Sequence, residues 1–409
     1  MNAYAVLIAS AVLAEFVLHL VADRLNLRAL GAELPGEFSD VYEAQRYRKS
    51  QEYTRARTRF KLIPGLFDLV AFLGFWGLGG FRWLDESARA LGFGPLATGL
   101  VFIGSLVLVR SLTSLPFKWY STFVIEERFG FNKMTPRTFW MDTLKGLVLT
   151  AVLGLPLLAA ILWCFGVLGE SAWLWCWLLV TCFTLLIQFI APTWIMPLFN
   201  KFTPLEEGEL RAAVLGYATR VSFPLEGLFS IDGSKRSTKA NAFFTGFGKH
   251  KRIALFDTLI EKQGTPELVA IVAHEIGHYK RGHILKRMAT GILQAGLVFF
   301  LLSQFLSNQG LFEAFGVQEV SVYAGLVFFS LLFSPIDMVI SFFMGAVSRK
   351  HEFEADAFAR ETTGDGESLA RALKALAADS LENLTPHPFY VKLHYSHPPV
   401  MQRIAALRR

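Results

Sequence analysis

The chain predicts an all-α polytopic membrane protein with seven transmembrane helices. Three observations carry that prediction. Hydrophobic residues make up 53% of the 409 positions against 18% charged, and mean hydropathy is +0.40, well above the soluble norm. Seven stretches are long and apolar enough to cross a bilayer: 4–21, 64–84, 96–115, 147–168, 172–195, 289–306 and 322–347. The loops between them also alternate in basic charge.

Taken in order, the loop after the first span carries Arg24, Arg28, Arg46, Arg48, Lys49 and further basic residues, whereas Arg89 is the basic residue of the next. Lys118, Arg128, Lys133, Arg137 and Lys145 follow the third span, and the connection after the fourth holds only Glu170. Glu313 and Glu319 follow the sixth. The positive-inside rule then puts the N-terminus outside and the C-terminus in the cytosol. The first span is read as an anchor and not a cleaved leader, because its basic residues follow the apolar run. The net charge of +6 comes mostly from these juxtamembrane residues, so nucleic-acid binding is not expected. Cys164, Cys176 and Cys182 have no metal or disulfide spacing. Glu15, His19, Asp68, Arg110, Gln188 and Asp337 interrupt the spans and should face other helices or water.

Four regions follow: 1–197 with spans one to five, 198–288 as a cytosolic catalytic region, 289–347 with spans six and seven, and 348–409 as a cytosolic C-terminal region. Residues 204–220 read as an amphipathic helix with acidic residues in its first turn, and 364–380 as a second. Phe243-Phe244 and 252–256 are strand-like and 246–251 turn-like, which predicts a small β-hairpin whose candidate edge begins at Asn241 and Ala242. Such an edge can hold an extended peptide as an added strand.

The chemistry lies in His274-Glu275-Ile276-Gly277-His278. On a helix, residues four apart share a face, so His274 and His278 can meet one metal ion, and Glu275 can act as general base on a water there. Composition alone yields such a string in about one chain per hundred of this length, so a third ligand is the test. Downstream, SRKHEFEADAFAR places Glu352 and Asp356 four residues apart. Glu352 fits a carboxylate ligand and Asp356 an acceptor that orients a ligating imidazole. By the loop charges both motifs share the cytosolic side. Beyond them, His387, His394 and His397 cluster with Tyr390 and Tyr395. Any one of these could donate to an oxyanion, and spacing does not choose among them.

The motifs YSTFVIEERFGFNKMT, SKRSTKANAFFTG, VAHEIGHYKRGH, SRKHEFEADAFA and HYSHPP run from 120 to 399. In these the chain resembles the integral-membrane type I CAAX prenyl endopeptidases. The resemblance implies a zinc peptidase with one Zn2+ per chain, held by His274, His278 and Glu352, with Glu275 as general base. It implies Asn241 in a substrate-binding edge continued by Ala242, Phe243 and Phe244, and His397 as a transition-state donor. It also implies a helical barrel around a water-filled chamber, and a peptide or protein substrate, prenylated in the family, that loses its C-terminal three residues. Competing readings are a general quality-control metalloprotease of the membrane and a seven-span transporter or receptor with a vestigial metal site; retention of Glu275 argues against the second. Ala- and Leu-rich composition and a C-terminus lacking a retrieval signal point to a bacterial inner membrane, or, in a eukaryote, to the endoplasmic reticulum.

The charge alternation predicts that single cysteines at Lys49, Lys133, Lys249 or Arg360 stay protected from an impermeant thiol reagent in intact cells, whereas cysteines at Glu170 or Glu313 react. Labelling of Lys249→Cys from outside overturns the orientation.

Overall fold

The computed structural model describes residues 2–31, 33–245 and 251–409. Seven helices are long and apolar enough to cross a membrane: Ala3–Arg28, Ala44–Gly77, Pro95–Phe129, Pro136–Val167, Gly169–Leu198, His283–Phe305 and Val322–Thr363. The second differs from the expected 64–84. It starts 20 residues earlier, at Ala44, as an extension that docks Tyr47 and Tyr53 in protein cores. It ends at Gly77 because Gly79 turns the chain with φ +77°, a conformation that costs glycine little. A separate helix, Gly80–Ala90, follows.

Each span packs against the next, and the seventh returns to the first. The seam between spans two and three carries the Asp68–Arg110 ion pair and the Phe67–Phe117 ring contact at 5.3 Å. The helices thus form a closed ring. At most 17% of any span's apolar window is buried, so surroundings other than protein meet most of that surface. Ionisable groups within the spans find polar company: Gln294 donates to Asp337 at 3.1 Å, while Glu15, His19, Asp23, Lys61, Asp68 and His394 line a cavity of about 670 Å³.

One end of the ring is stoppered. The start of spans one, three and seven and the end of spans two, four and six meet there in a core that includes Ile8, Phe81, Phe102, Phe312, Phe315 and Phe328. Phe315 stacks on Phe328 with centroids 4.1 Å apart. Tyr323 donates to the buried Asp85 at 2.5 Å, and Arg89 donates to the other oxygen at 2.9 Å, so no charge is left unpaired in this plug.

The opposite end carries the polar body. Its core joins Phe38 and Tyr42 from the loop after span one, Ile253 and Leu255 from the sheet, Leu268, Val272 and Ile276 from the helix Thr265–Lys280, and Leu369 and Ile404 from the C-terminal helices. Four strands, β1 (Phe202–Pro204), β2 (Leu225–Ile231), β3 (Ala242–Thr245) and β4 (Lys251–Phe256), form one sheet in the order β1-β2-β4-β3. The expected hairpin is its β3–β4 half, antiparallel with Phe243 opposite Ala254 and Phe244 opposite Ile253. The turn expected over 246–251 lies outside the described residues up to Lys251. The sheet is larger than the expected hairpin because β2 runs parallel to β4 and gives the hairpin a second neighbour. The helix expected over 204–220 begins only at Glu209, since Pro204 still pairs in β1. The C-terminal helix Gly366–Asp379 starts where Asp365 accepts the Ser368 backbone N–H at 2.9 Å, a standard N-cap.

The plug generates a stability test. Tyr323→Phe leaves the buried Asp85 short of one donor and should destabilise the protein by about 1–3 kcal/mol, read as a lower melting temperature in detergent. An unchanged melting temperature would show that this hydrogen bond does not hold the plug together.

Candidate metal centre

The helix Thr265–Lys280 turns one face, Leu268, Val272 and Ile276, into the core. That choice directs His274 and His278 toward the long seventh helix, Val322–Thr363. The two helices approach unusually closely: a Cβ on Gly277 would lie 3.1 Å from both Cα and O of Ala355. Gly277, just before the second histidine of HEIGH, therefore sets the distance at which Glu352, one turn before Asp356, meets the two imidazoles.

Their ligand atoms lie within 4.8 Å of one another. His274 Nε2 and His278 Nε2 are 3.2 Å apart, and Glu352 reaches them at 3.5 Å and 3.3 Å. On the other edge of His274, Nδ1 is 2.8 Å from Asp356 Oδ1. That contact fixes the tautomer and leaves the Nε2 lone pair for an ion. Glu352 is 3% exposed, and its Oε2 has no well-directed hydrogen bond although His397 Nδ1 stands 2.7 Å away. A buried carboxylate beside two facing Nε2 atoms calls for a cation, so the residues fit a tetrahedral ion with three protein ligands and one open position. Burial opposes charge on His274, but the hydrogen bonds to Asp356 and Glu352 more than reverse this and push its pKa up to about 9. In the metal-free protein a proton answers the same demand.

Glu275 is half-buried, and its side chain forms no hydrogen bond or ion pair among the described residues. Of the C-terminal histidines, only His397 reaches the group. His387 caps a short helix by accepting the Phe389 N–H at 3.2 Å, and His394 packs on His19 with centroids 4.9 Å apart. β3 is an edge strand, and Asn241, just before it, is exposed with its carbonyl accepting the Phe256 N–H at 3.0 Å. Ala242 and Phe244 pack against the core, and the rings of Phe244 and Phe243 rest on Phe223 and Phe256 respectively. What the strand offers outward is backbone.

Arg403 was not foreseen from sequence. It is buried, donates to both oxygens of Asp356 at 2.8 Å and 2.7 Å, and holds Nη1 3.5 Å from Glu352 Oε2. A two-pronged guanidinium keeps Asp356 oriented toward His274. Nothing in MQRIAAL distinguishes this arginine from a surface cation; only its position four residues after the HPP turn's last proline hints at burial.

A ring of membrane helices bearing a two-His, one-Glu group that could hold a metal ion, with a glutamate next to the first histidine, fits a membrane-embedded metallopeptidase. Residues 23–201 match the family described as CAAX prenyl protease N-terminal, five membrane helices, and residues 204–409 match peptidase family M48. The chain is 35% identical over 403 residues to CAAX prenyl protease 1 of Saccharomyces cerevisiae, covering 92% of this chain and 88% of that one. It is 35% identical to the Arabidopsis thaliana homolog, covering 96% and 95%, and 33% identical to the Homo sapiens homolog, covering 92% and 88%. The crystal structure of S. mikatae Ste24p superposes with a TM-score of 0.95 at 33% identity over 100% of both chains. The chain belongs to peptidase family M48, in its CAAX prenyl protease branch. It is an integral multi-pass membrane metallopeptidase, and the transporter or receptor reading is set aside.

Two tests follow from the geometry. Gly277→Val should force the helices apart and weaken metal binding by about tenfold or more while the spans stay folded; chelator competition measures it, and unchanged affinity would mean the crossing does not set the ligand distances. The second concerns pH. With a folded pKa near 9 above an unfolded value near 6.5, the His274 proton stabilises the metal-free protein below pH 6.5, and that stabilisation is lost as pH rises through 9. A metal ion must expel the proton, so affinity should rise by about tenfold per pH unit between 7 and 9. A flat profile would show that no proton is displaced.

Proposed function

We propose that this chain is a zinc-dependent endopeptidase that removes the C-terminal residues of prenylated CAAX-type substrates at the cytosolic face of a membrane. The observation that carries the reading is the convergence of His274, His278 and Glu352 beside a Glu275 that forms no competing contact among the described residues. The orientation rests on the basic loops, which lie at the end of the ring that bears this group.

When bound, Zn2+ supplies Lewis-acid polarisation to a water and to the scissile carbonyl. His274 is held in its ligating tautomer by Asp356 and, behind it, Arg403. Glu275 takes a proton from the attacking water and later passes it to the leaving amine. His397 donates to the carbonyl oxygen as negative charge develops there. Its side chain is 63% exposed, which suits a group facing substrate better than one wedged into packing. The outer edge of β3, from Asn241 through Phe244, binds the peptide backbone as an added strand.

Cleavage of a farnesylated C-terminal peptide should exceed that of the unmodified peptide and stop with a chelator; equal rates on both would favour the general quality-control reading. Glu352→Ala should lose metal and activity together, and Glu275→Gln should keep metal while kcat falls by about two orders of magnitude or more. His397→Ala should lower kcat about 10²–10³-fold at unchanged melting temperature and metal content. A normal kcat per folded molecule in that variant would remove His397 from the chemistry.

A further inference from the structure

Behind His278 stands a set of groups that the reaction above does not use. The HEIGH helix ends at Lys280 and the next begins at His283. Between them Gly282 has φ +68°, the left-handed region in which glycine is unstrained. This tight reversal carries His283 back to the outer edge of His278, so that the two Nδ1 atoms are 3.0 Å apart. At its far side His283 Nε2 is 2.9 Å from Glu354 Oε2. The His283 side chain is 0% exposed, and its ring stacks on His351 with centroids 4.0 Å apart and planes at 9°.

His283, His351 and Glu354 bring their ligand atoms within 4.8 Å of one another, which raises the possibility of a second ion. The ring geometry rules against it. An ion sits in the plane of the imidazole that binds it, along the nitrogen lone pair. Two nearly parallel planes about 4 Å apart share no such point within bonding distance, which is near 2 Å for an imidazole nitrogen. Both nitrogens of His283 are in any case engaged, one by His278 and one by Glu354.

We propose that His283 and Glu354 are positioning residues for the metal ligand His278. Glu354 accepts the His283 Nε2–H, His283 Nδ1 accepts the His278 Nδ1–H, and the His278 Nε2 lone pair is thereby directed at the ion. With both imidazoles neutral the donor and acceptor sequence has one solution, because a carboxylate at the outer end can only accept. A carboxylate behind an imidazole makes it a better ligand, and a buried chain of hydrogen bonds polarises along its length. Each metal-binding histidine then has carboxylate support: His274 from Asp356 directly, His278 from Glu354 through a second imidazole. His351 fixes the plane of the intermediate ring. The proposal rests on His278 being a ligand.

The test uses the full chain in detergent and reads zinc affinity by competition with a chromophoric chelator, zinc stoichiometry, and the melting temperature of the metal-free protein. The wild type should bind one zinc. Glu354→Gln and His283→Ala should each weaken affinity by about 10–100-fold. Glu354→Gln should do so without lowering the metal-free melting temperature, because Glu354 is one-third exposed (34%). His283→Asn, whose Oδ1 can take the place of Nδ1 as acceptor, should recover most of the affinity lost in His283→Ala. Equal loss in the Asn and Ala variants that follows the melting temperature overturns the proposal, as does unchanged affinity in Glu354→Gln and His283→Ala. Two zinc ions in the wild type and one in His283→Ala would replace it with a second metal site. If His278→Ala loses zinc but these variants do not, only the relay fails; if His278→Ala keeps full affinity, the ligand assignment fails with it.

Discussion

The close approach of Gly277 to Ala355 is the constraint on which the rest of the catalytic end depends. A metal centre needs its donors placed to within about 0.5 Å, and here two candidate donors come from one helix and the third from a membrane span, Glu352 lying 74 positions after His278. Side-chain packing alone would leave that separation adjustable. Backbone contact at 3.1 Å from where a Cβ would stand does not, because neither helix can move closer and the shared core prevents retreat. The interval between His274 and His278 sets the same four-residue step as that between Glu352 and Asp356, so the two pairs interlock about the glycine.

The shared core explains why the arrangement is held from behind as well. Phe38 and Tyr42 follow the first span, the sheet and HEIGH helix follow the fifth, and Leu369 and Ile404 follow the seventh. Burying these groups, at about 1.5–3 kcal/mol for each large apolar side chain, ties together chain segments that leave the membrane at different points of the ring. The catalytic body and the ring consequently stabilise each other: the ring fixes where the segments emerge, and the body closes the ring at that end.

Much of this was legible in the sequence. Four-residue spacing marks a helix face wherever helix formers surround it, so HEIGH and EFEAD could be paired without a structure, and long apolar runs located all seven spans. What could not be read has physical reasons. The start of the second span is too polar for a hydropathy window, and its end is set by glycine conformation. β2 contains Glu226 and Gly227 and lacks strand-like alternation; it is a strand because β4 lies beside it. Arg403 and His283 have ordinary sequence surroundings, and their roles come from burial against groups that are distant in the chain or folded back by one left-handed glycine. Of the C-terminal histidines, contact and not spacing singles out His397.

The aromatic stopper at the far end of the ring gives the molecule a polarity of traffic. A ring open at both ends would let a peptide pass through and leave product on the other side, coupling proteolysis to translocation. Phe312, Phe315 and Phe328 and the satisfied Asp85 charge close that axis. Along the axis, entry and exit share the end that carries the candidate metal group, so a released product and the next substrate compete for one mouth. Turnover at high substrate should then be governed by how quickly that mouth clears, and the membrane's permeability barrier is left intact while the enzyme works.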